Sequence, residues 1–180
     1  MKRVSIFIDG NNFYYGLKKI YIDSKDLSKF NFEKFINYLK KEREIVSIYY
    51  YNAPLDRTKN LKKYQNQQRF FEILKKIPKF NVILCKLLKR KIKDQYIYVL
   101  KGDDIHLAVD MIKEAYKNRF DTAILISGDG DFFPVVNAVK DINKEVENVY
   151  FKPSSSSHLK RICNTSIRLK KEILNQFFEE

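Results

Sequence analysis

The hydrophobic positions of the chain follow two periods, one typical of strands and one typical of helices. Continuous apolar runs such as those at residues 4–9 and 122–127 are typical of strands buried on both faces. Between the strands, apolar residues three or four positions apart predict amphipathic helices. The predicted strands cover residues 4–9, 45–53, 81–88, 96–100, 122–127 and 146–151. The predicted helices cover residues 32–41, 57–77, 104–117 and 133–142, followed by one or two helices toward the C-terminus.

The order of these elements predicts the fold class. Strands that alternate with helices form βαβ units, in which neighbouring strands run parallel and helices cover both faces of the sheet. We therefore expect an α/β fold of three layers with a central, mostly parallel sheet. No internal repeat and no Gly- or Pro-rich linker divides the chain. We expect one domain over residues 1–180, with a core at about residues 3–151 and a C-terminal helical extension over residues 155–180.

Acidic residues follow three of the predicted strands. Asp9 ends the first strand in FIDGNN, Asp103 and Asp104 follow the 96–100 strand in KGDD, and Asp129 and Asp131 follow the 122–127 strand in SGDGD. In a parallel sheet, functional groups collect beyond the carboxyl ends of the strands. We therefore expect Asp9, Asp104, Asp129 and Asp131 to converge although they are far apart in sequence.

Converging carboxylates indicate a cation, because like charges at close range repel unless a cation or a raised pKa relieves them. An oxygen-only ligand set without paired His or Cys suits Mg²⁺ or Mn²⁺. Each acid also has a purely structural alternative. Asp9 fits an Asx-rich turn, Asp104 fits a helix N-cap, and Asp129 with Asp131 fits a turn acid followed by a cap.

The helix after KGDD separates its acids by their position around the helical wheel. At 100° per residue, Asp104 lies on the apolar stripe that includes Ala108 and Met111. Asp103 and Asp110 lie on a different side of the helix. The wheel therefore predicts that Asp104 faces the site, while Asp103 and Asp110 are solvated or support the ligands from behind.

The charge balance favours an anionic partner. The chain has 35 Lys and Arg against 22 Asp and Glu, a formal net charge of +13. Such an excess attracts polyanions through counterion release and favours a nucleic-acid partner; a general preference for solvated lysine is the alternative that charge alone leaves open. KRKIKD lies between two predicted strands and is expected to be a hairpin turn with a basic tip. This tip either attracts a nucleic-acid backbone or is simply a charged, solvated turn. The candidate contacts to a nucleic-acid backbone are Lys89, Arg90, Lys91, Lys93 and Lys101.

The remaining residues offer weaker candidates. Cys85 and Cys163 lack metal-site spacing and are expected to be buried, inert thiols. His106 and His158 have no histidine partner at helical spacing and are expected to be surface or core residues. The apolar part of the N-terminus is too short for a signal peptide and is interrupted by Asp9. We expect a cytoplasmic protein without a membrane partner.

The motifs together resemble the NYN (LabA-like) domain family of the PIN-like nuclease superfamily. The resemblance rests on FIDGNN, YYYNA, KGDDIHLAVDM and ILISGDGDF in this order. It implies a Rossmann-like, PIN-like domain with an acidic pocket that binds Mg²⁺ or Mn²⁺, and often ribonuclease activity. The family also includes members that look regulatory, so membership alone does not establish catalysis.

The family's motif positions can be placed on this chain one by one. The aspartate of the family's first strand falls on Asp9, and the asparagine that follows falls on Asn12. Its K-G-x-D motif falls on Lys101, Gly102 and Asp104. An acid often seen in the following helix falls on Asp110. Its S-G-D-x-D-F motif falls on Ser127, Gly128, Asp129, Asp131 and Phe132.

The sequence as a whole predicts a metal-dependent endoribonuclease acting on RNA. In this hypothesis Asp9, Asp104 and Asp129 hold the Mg²⁺ or Mn²⁺ ion, and Asp131 completes the shell or orients the attacking water. Asn12 and Ser127 position the ligands or a phosphate oxygen. Two alternatives stay open: a non-catalytic RNA-binding or regulatory module, and a Mg²⁺-dependent phosphatase. A homodimer would be in keeping with the superfamily.

Overall fold

The computed structural model describes residues 1–22, 24–85, 87–92, 95–100, 102–152 and 155–178. In chain order the elements are β1 (Arg3–Asp9), α1 (Gly10–Tyr21), α2 (Phe32–Lys40), β2 (Glu44–Asn52), α3 (Leu61–Lys75), β3 (Phe80–Leu84), β4 (Leu87–Ile92), β5 (Gln95–Leu100), α4 (Asp103–Tyr116), β6 (Thr122–Ile126), α5 (Phe133–Asp141), β7 (Glu145–Tyr150), α6 (Ser157–Ile162), β8 (Thr165–Arg168) and α7 (Lys171–Leu174).

Six of the strands form one parallel sheet in the order β3-β2-β1-β6-β7-β8. The strand order reverses between β1 and β6. From β1 the chain first adds β2 and β3 on one side, and it later adds β6, β7 and β8 on the other. Such a switch point opens a crevice at the carboxyl ends of the two central strands. The sheet with its flanking helices confirms the predicted three-layer α/β fold.

The central strands are buried because helices cover both faces of the sheet. Every residue of β6 is buried, as are the residues of β1 from Val4 onward. Side chains alternate between the faces, so Ile6 and Ile124 join one core while Phe7 and Leu125 join the other. This burial on two sides explains why the two strands read as continuous apolar runs.

An aromatic cluster fixes α1 and α2 against their face of the sheet. The ring of Phe13 lies 5.2–5.6 Å from the rings of Phe30, Phe32, Phe35 and Phe151. Aromatic pairs at these distances and tilted angles stabilise a core beyond their buried area. The first residues of α1 are therefore held firmly at the end of β1.

Two predicted segments have a different secondary structure. The C-terminal segment is not wholly helical: Thr165–Arg168 forms β8, which pairs in parallel with β7. Helix α1 was not predicted, because the polar residues DGNN at its start look like a turn. Phe177 and Phe178 then pack on Phe30, so the C-terminal residues contribute to the first core.

The basic segment predicted as a hairpin turn is mostly a strand. Lys89, Arg90 and Lys91 lie within β4, which pairs with β5 in a separate two-stranded antiparallel sheet. Five charged residues around one isoleucine in KRKIKD hide the alternation by which strands are recognised. Lys93 lies outside the described residues.

Within the part of the chain that the structure describes, no helix has the length and apolar character needed to cross a membrane.

Candidate active site at the carboxyl edge of the sheet

Asp9 lies at the switch point, where it joins three elements. It ends β1 and forms the N-cap of α1, since its Oδ1 accepts a hydrogen bond from the Asn12 backbone N–H at 3.0 Å. Its Oδ2 accepts a hydrogen bond from the Ser127 hydroxyl at 2.9 Å. Only 7% of Asp9 is exposed. The carboxylate is therefore held in one orientation between β1, β6 and α1.

The glycine after Asp9 allows α1 to start directly at the sheet. A Cβ at Gly10 would lie 2.6 Å from the Tyr51 carbonyl oxygen and 2.6 Å from Cε1 of Tyr50. Both atoms belong to β2, and one is backbone that cannot move aside. The D-G pair is thus explained by close approach of α1 to β2.

The SGDGD loop after β6 is ordered by its own side chains. Asp129 caps a short 3₁₀ helix over Gly130–Phe132, with Oδ1 accepting from the Asp131 backbone N–H at 3.0 Å. The Ser127 hydroxyl accepts from the Asp129 N–H at 3.1 Å.

Asp9, for which the structural alternative was an Asx-rich turn, and Asp129, for which it was a turn acid, are therefore both helix caps. The N-cap of α4, by contrast, is Gly102 and not Asp104. Capping does not exclude a ligand role, because carboxylate oxygens carry further lone pairs.

Two asparagines hold this loop in register with the sheet. The Asn12 side-chain carbonyl accepts from the Gly128 N–H at 3.2 Å. Asn148, a buried residue of β7, donates from Nδ2 to the carbonyl oxygens of Ser127 at 2.7 Å and Leu125 at 3.3 Å. Sequence reasoning missed Asn148. Its only signal was an amide that interrupts the apolar positions of the predicted strand 146–151.

KGDD reaches the site through α4 and not through a strand of the main sheet. β5, which precedes it, belongs to the separate hairpin, so the premise that KGDD ends a central strand is wrong. Gly102 has φ +100°, a left-handed conformation that favours glycine and that turns the chain into α4. The helix then packs against β1 and β2, which brings its first turn to the edge where Asp9 lies.

The two acids at the start of α4 have exchanged the predicted positions. Asp103 is 9% exposed, and its Oδ2 accepts a hydrogen bond from Asn11 Nδ2 at 2.9 Å. Asp104 is exposed. The buried stripe of α4 repeats at four residues through Asp103, Leu107 and Met111, so it shares Met111 with the predicted stripe but has Asp103 and Leu107 in place of Asp104 and Ala108. Asn11 was also missed, although it lies within the DGNN motif.

Asp110 lies two turns further along α4. It is half-buried, and its Oδ2 accepts a hydrogen bond from the Tyr51 hydroxyl at 3.1 Å. Burial raises the pKa of Tyr51, and the neighbouring Asp110 raises it further. The contact links α4 to β2, consistent with a supporting position behind the acids of the first turn.

The acids at this edge lie in one another's electrostatic field. Burial raises the pKa of Asp9, with smaller contributions from Asp103 and Asp129, against the hydrogen bonds that lower it. Although Asp104 as a whole residue is exposed, partial desolvation of its carboxyl is the largest cause that raises its pKa to about 6. Four carboxylates raise it further: Asp103, Asp9, Asp129 and Asp131. In the residues described, no salt bridge to Lys, Arg or His neutralises Asp104 or any of these four aspartates.

The donors suit a hard cation, but they do not form a closed cage. Oxygen-only ligands with uncompensated negative charge are what Mg²⁺ and Mn²⁺ prefer. However, no group of three or more His, Cys, Asp or Glu side chains within the described ranges is arranged to hold a metal ion. A cation here would complete its shell with waters or with phosphate oxygens of a substrate.

The other predicted residues are not part of the acidic cluster, or lie outside the described residues. Lys101 and Lys93 lie outside the described residues, while Lys89, Arg90 and Lys91 lie on β4. The thiols are buried and free, as predicted for Cys85 and Cys163. The histidines are both exposed; the ring of His158 stacks on Phe133 at 4.6 Å, and His106 lies in the first turn of α4.

Comparisons with known proteins agree with the motifs. The profile described as NYN domain matches residues 3–170, which confirms the resemblance inferred from the sequence. The low amplitude and bright protein LabA of Synechococcus elongatus is 29% identical over 135 residues, or 72% of this chain. The match spans 63% of LabA's own length, so less than two thirds of that protein is represented here.

Solved structures give a similar picture. A protein of unknown function from Vibrio parahaemolyticus superposes with a TM-score of 0.74 at 26% identity, covering 95% of this chain and 94% of that one. MurG of Acinetobacter baumannii reaches a TM-score of only 0.44 at 10% identity, over 93% of this chain and 41% of that one, which is too low to carry an argument.

Proposed function

Because this chain belongs to the NYN domain family, we propose that it is a metal-dependent ribonuclease acting at the carboxyl edge of its sheet. One observation carries the proposal: Asp9, Asp103, Asp129 and Asp131 all lie close enough to Asp104 to raise the pKa of its carboxyl, and no Lys, Arg or His among the described residues neutralises any of these five aspartates. Uncompensated charge lowers the stability of the folded chain, and clusters of this kind are concentrated at functional sites.

The side chains divide into those that would hold a cation and those that orient them. Asp9, Asp104 and Asp129 are the proposed ligands, with Asp131 completing the shell or orienting water. When bound, Mg²⁺ or Mn²⁺ would activate a water and neutralise the charge that develops on the phosphate. Ser127 donates to Asp9, so its role is to fix that carboxylate.

Three further residues support the ligands. Asn12 holds the loop that carries Asp129, and Asn11 fixes the buried Asp103 beside the proposed ligands. Asp110 lies behind them on α4. The candidate contacts to the RNA backbone stay a proposal based on the basic sequence alone: Lys89, Arg90, Lys91, Lys93 and Lys101.

The direct test is cleavage of labelled single-stranded RNA with Mg²⁺ or Mn²⁺. We expect cleavage by the wild type and its loss in Asp9→Asn and Asp129→Asn, because both variants keep a capping oxygen while removing a charge. Asp121→Asn, at the opposite end of the sheet, is the matched control and should cleave normally. Cleavage that persists in both site variants would reject the proposed site.

The second candidate function is an RNA-binding module without turnover. It is favoured by the absence of a metal-ready group of three ligands among the described residues. Tight RNA binding without cleavage in either cation, unchanged by Asp9→Asn, would establish it. Release of phosphate from small monoesters without attack on RNA would instead indicate a phosphatase.

A further inference from the structure

Helix α1 exposes two neighbouring tyrosines close to the acidic edge. Tyr14 is 46% and Tyr15 is 57% exposed, although the residue before them, Phe13, is buried in the first core. Their rings contact each other edge to face, with centroids 5.4 Å apart and an interplanar angle of 75°. The pair therefore presents two rings in mutual contact to solvent.

The tyrosines lie on the same helical face as a residue of the site. Asn11, which donates to the Asp103 carboxylate, precedes Tyr14 and Tyr15 by three and four positions. Residues at this spacing are neighbours on one face of a helix. Lys18 follows at seven positions from Asn11 and is exposed. The face thus continues from the acids, through the aromatic pair, to a lysine about 10 Å along the helix axis.

This combination fits one class of ligand. Aromatic side chains beside lysines bind single-stranded nucleic acid by stacking on the bases and attracting the phosphates. A second exposed lysine, Lys19, lies four positions after Tyr15, and the chain as a whole carries a net charge of +13. A protein partner would need the acidic complement of this surface, whereas RNA supplies both flat bases and negative charge.

We propose that Tyr14 and Tyr15 form a base-stacking subsite for single-stranded RNA, with Lys18 contacting the adjacent phosphate. The subsite extends the proposed active site and rests on it for the identity of the ligand. It would bind the nucleotide next to the one whose phosphate lies at the aspartates. Base-paired RNA would bind it poorly, because its bases stack on one another.

The test measures binding separately from cleavage. Fluorescence anisotropy of a labelled single-stranded RNA with the full chain in EDTA should show affinity at least roughly tenfold weaker for the Tyr14→Ala, Tyr15→Ala double variant. The corresponding double Phe variant should bind like the wild type, since stacking survives loss of the hydroxyl. Lys18→Ala should reduce the slope of log affinity against log salt by about 1.

Tyr116→Ala is the matched control. Tyr116 is 81% exposed and lies on α4, which also starts at the acidic edge, but about 20 Å along that helix from Asp103. Its replacement should leave RNA affinity unchanged. Equal weakening by Tyr116→Ala, or no weakening by the double Ala variant, would overturn the subsite.

Two further outcomes separate this inference from the proposed function. If the double Ala variant loses RNA affinity while the wild type shows no cleavage in Mg²⁺ or Mn²⁺, the subsite stands and the nuclease proposal fails. If cleavage occurs normally but the variant only changes the sedimentation behaviour of the protein, the aromatic face is a contact between copies of the chain, and the inference is wrong.

Discussion

The two ends of the central strands β1 and β6 carry the same kind of residue in opposite electrostatic states. At the amino end, Asp121 lies just before β6 and is paired with Arg3 at the start of β1, with N···O at 2.7 Å. At the carboxyl end, Asp9 accepts a hydrogen bond from Ser127 and lies in the electrostatic field of Asp103 and Asp129, with no ion pair among the described residues. The same two strands therefore end in a neutralised pair on one side and in uncompensated charge on the other.

The pKa values follow this difference. Hydrogen bonds from the Arg3 side chain and backbone lower the pKa of Asp121 to about 2. Lys2 and Thr122 lower the pKa of Glu145 at the same end. By contrast, burial raises the pKa of Asp9 and brings that of Asp104 to about 6. The amino end contributes to folding, whereas the carboxyl end costs stability that a ligand could recover.

The largest expected effect of breaking this contrast is on catalysis. Asp9→Asn should lower the rate of RNA cleavage by at least about 100-fold, because a charged ligand of the proposed cation is lost. The free energy of unfolding should stay equal or rise, since the amide can still cap α1 while a buried charge disappears. Cleavage rates and chemical denaturation check both parts. Loss of cleavage together with a lower free energy of unfolding would contradict a ligand role for Asp9.

The next effect concerns stability at the amino end. Arg43 donates to both carboxylate oxygens of Glu147 at 2.9 and 3.0 Å and to the Leu39 carbonyl, with 14% of each charged side chain exposed. Arg43→Ala should lower the free energy of unfolding by about 2 kcal/mol, because Glu147 is left without its partner. Urea denaturation measures it. Cleavage per folded molecule should not change; a loss of activity would show that the two ends are coupled.

The pH dependence should have opposite signs at the two ends. Asp104 has a folded-state pKa of about 6, above its ordinary value of 3.8, so the unfolded chain loses this proton first and stability falls as pH rises between these values. The free energy of unfolding of Asp104→Asn should equal that of the wild type near pH 4. At pH 7 it should be larger by about 1 kcal/mol, after allowance for the exposure of Asp104.

Asp121 should behave in the reverse way. Its pKa is lowered to about 2, so its contribution is complete above pH 4 and is lost as pH falls through 2. Asp121→Asn should therefore be about 1 kcal/mol less stable than the wild type at pH 7 and equal to it near pH 2, allowing for solvent screening. Denaturation midpoints across this pH range compare the two variants. Slopes of the same sign for both would contradict the contrast.

The smallest expected effect comes from an exposed ion pair. Lys2 and Glu145 approach to 2.9 Å, but their side chains are 62% and 47% exposed. Lys2→Ala should change the free energy of unfolding by less than about 0.5 kcal/mol, and added salt should erase the difference. A larger, salt-resistant loss would mean that this pair belongs to a network with Thr122.

The sequence predicts correctly those elements that a pattern of neighbouring residues is enough to recognise. The continuous apolar runs of β1 and β6 predicted buried strands, and the acids that follow them indicated the site. Helix α1 was missed because its start depends on two tertiary contacts, namely the approach of Gly10 to β2 and the bond from Ser127 to Asp9. β4 was missed because basic residues conceal its alternation.

The division of acids within KGDD depended on geometry that a wheel resolves poorly. Buried positions on a helix repeat at three or four residues, so a stripe that includes Met111 can begin at either Asp103 or Asp104. Asn148 carried no motif, because its role depends on a carbonyl of the neighbouring strand. The roles of the aspartates, Asn12, Ser127 and the basic residues stay predictions.

The central claim is that the carboxyl edge holds its negative charge for a divalent cation. The most direct measurement is the melting temperature of the metal-free protein titrated with Mn²⁺ or Mg²⁺, for the wild type, Asp9→Asn and Asp121→Asn. At about 100 times the dissociation constant, the cation should stabilise the wild type by about 2.7 kcal/mol, or roughly 5–10 °C. Asp121→Asn should show the same rise and Asp9→Asn little or none. An equal rise in all three proteins, or none in the wild type, would contradict the claim.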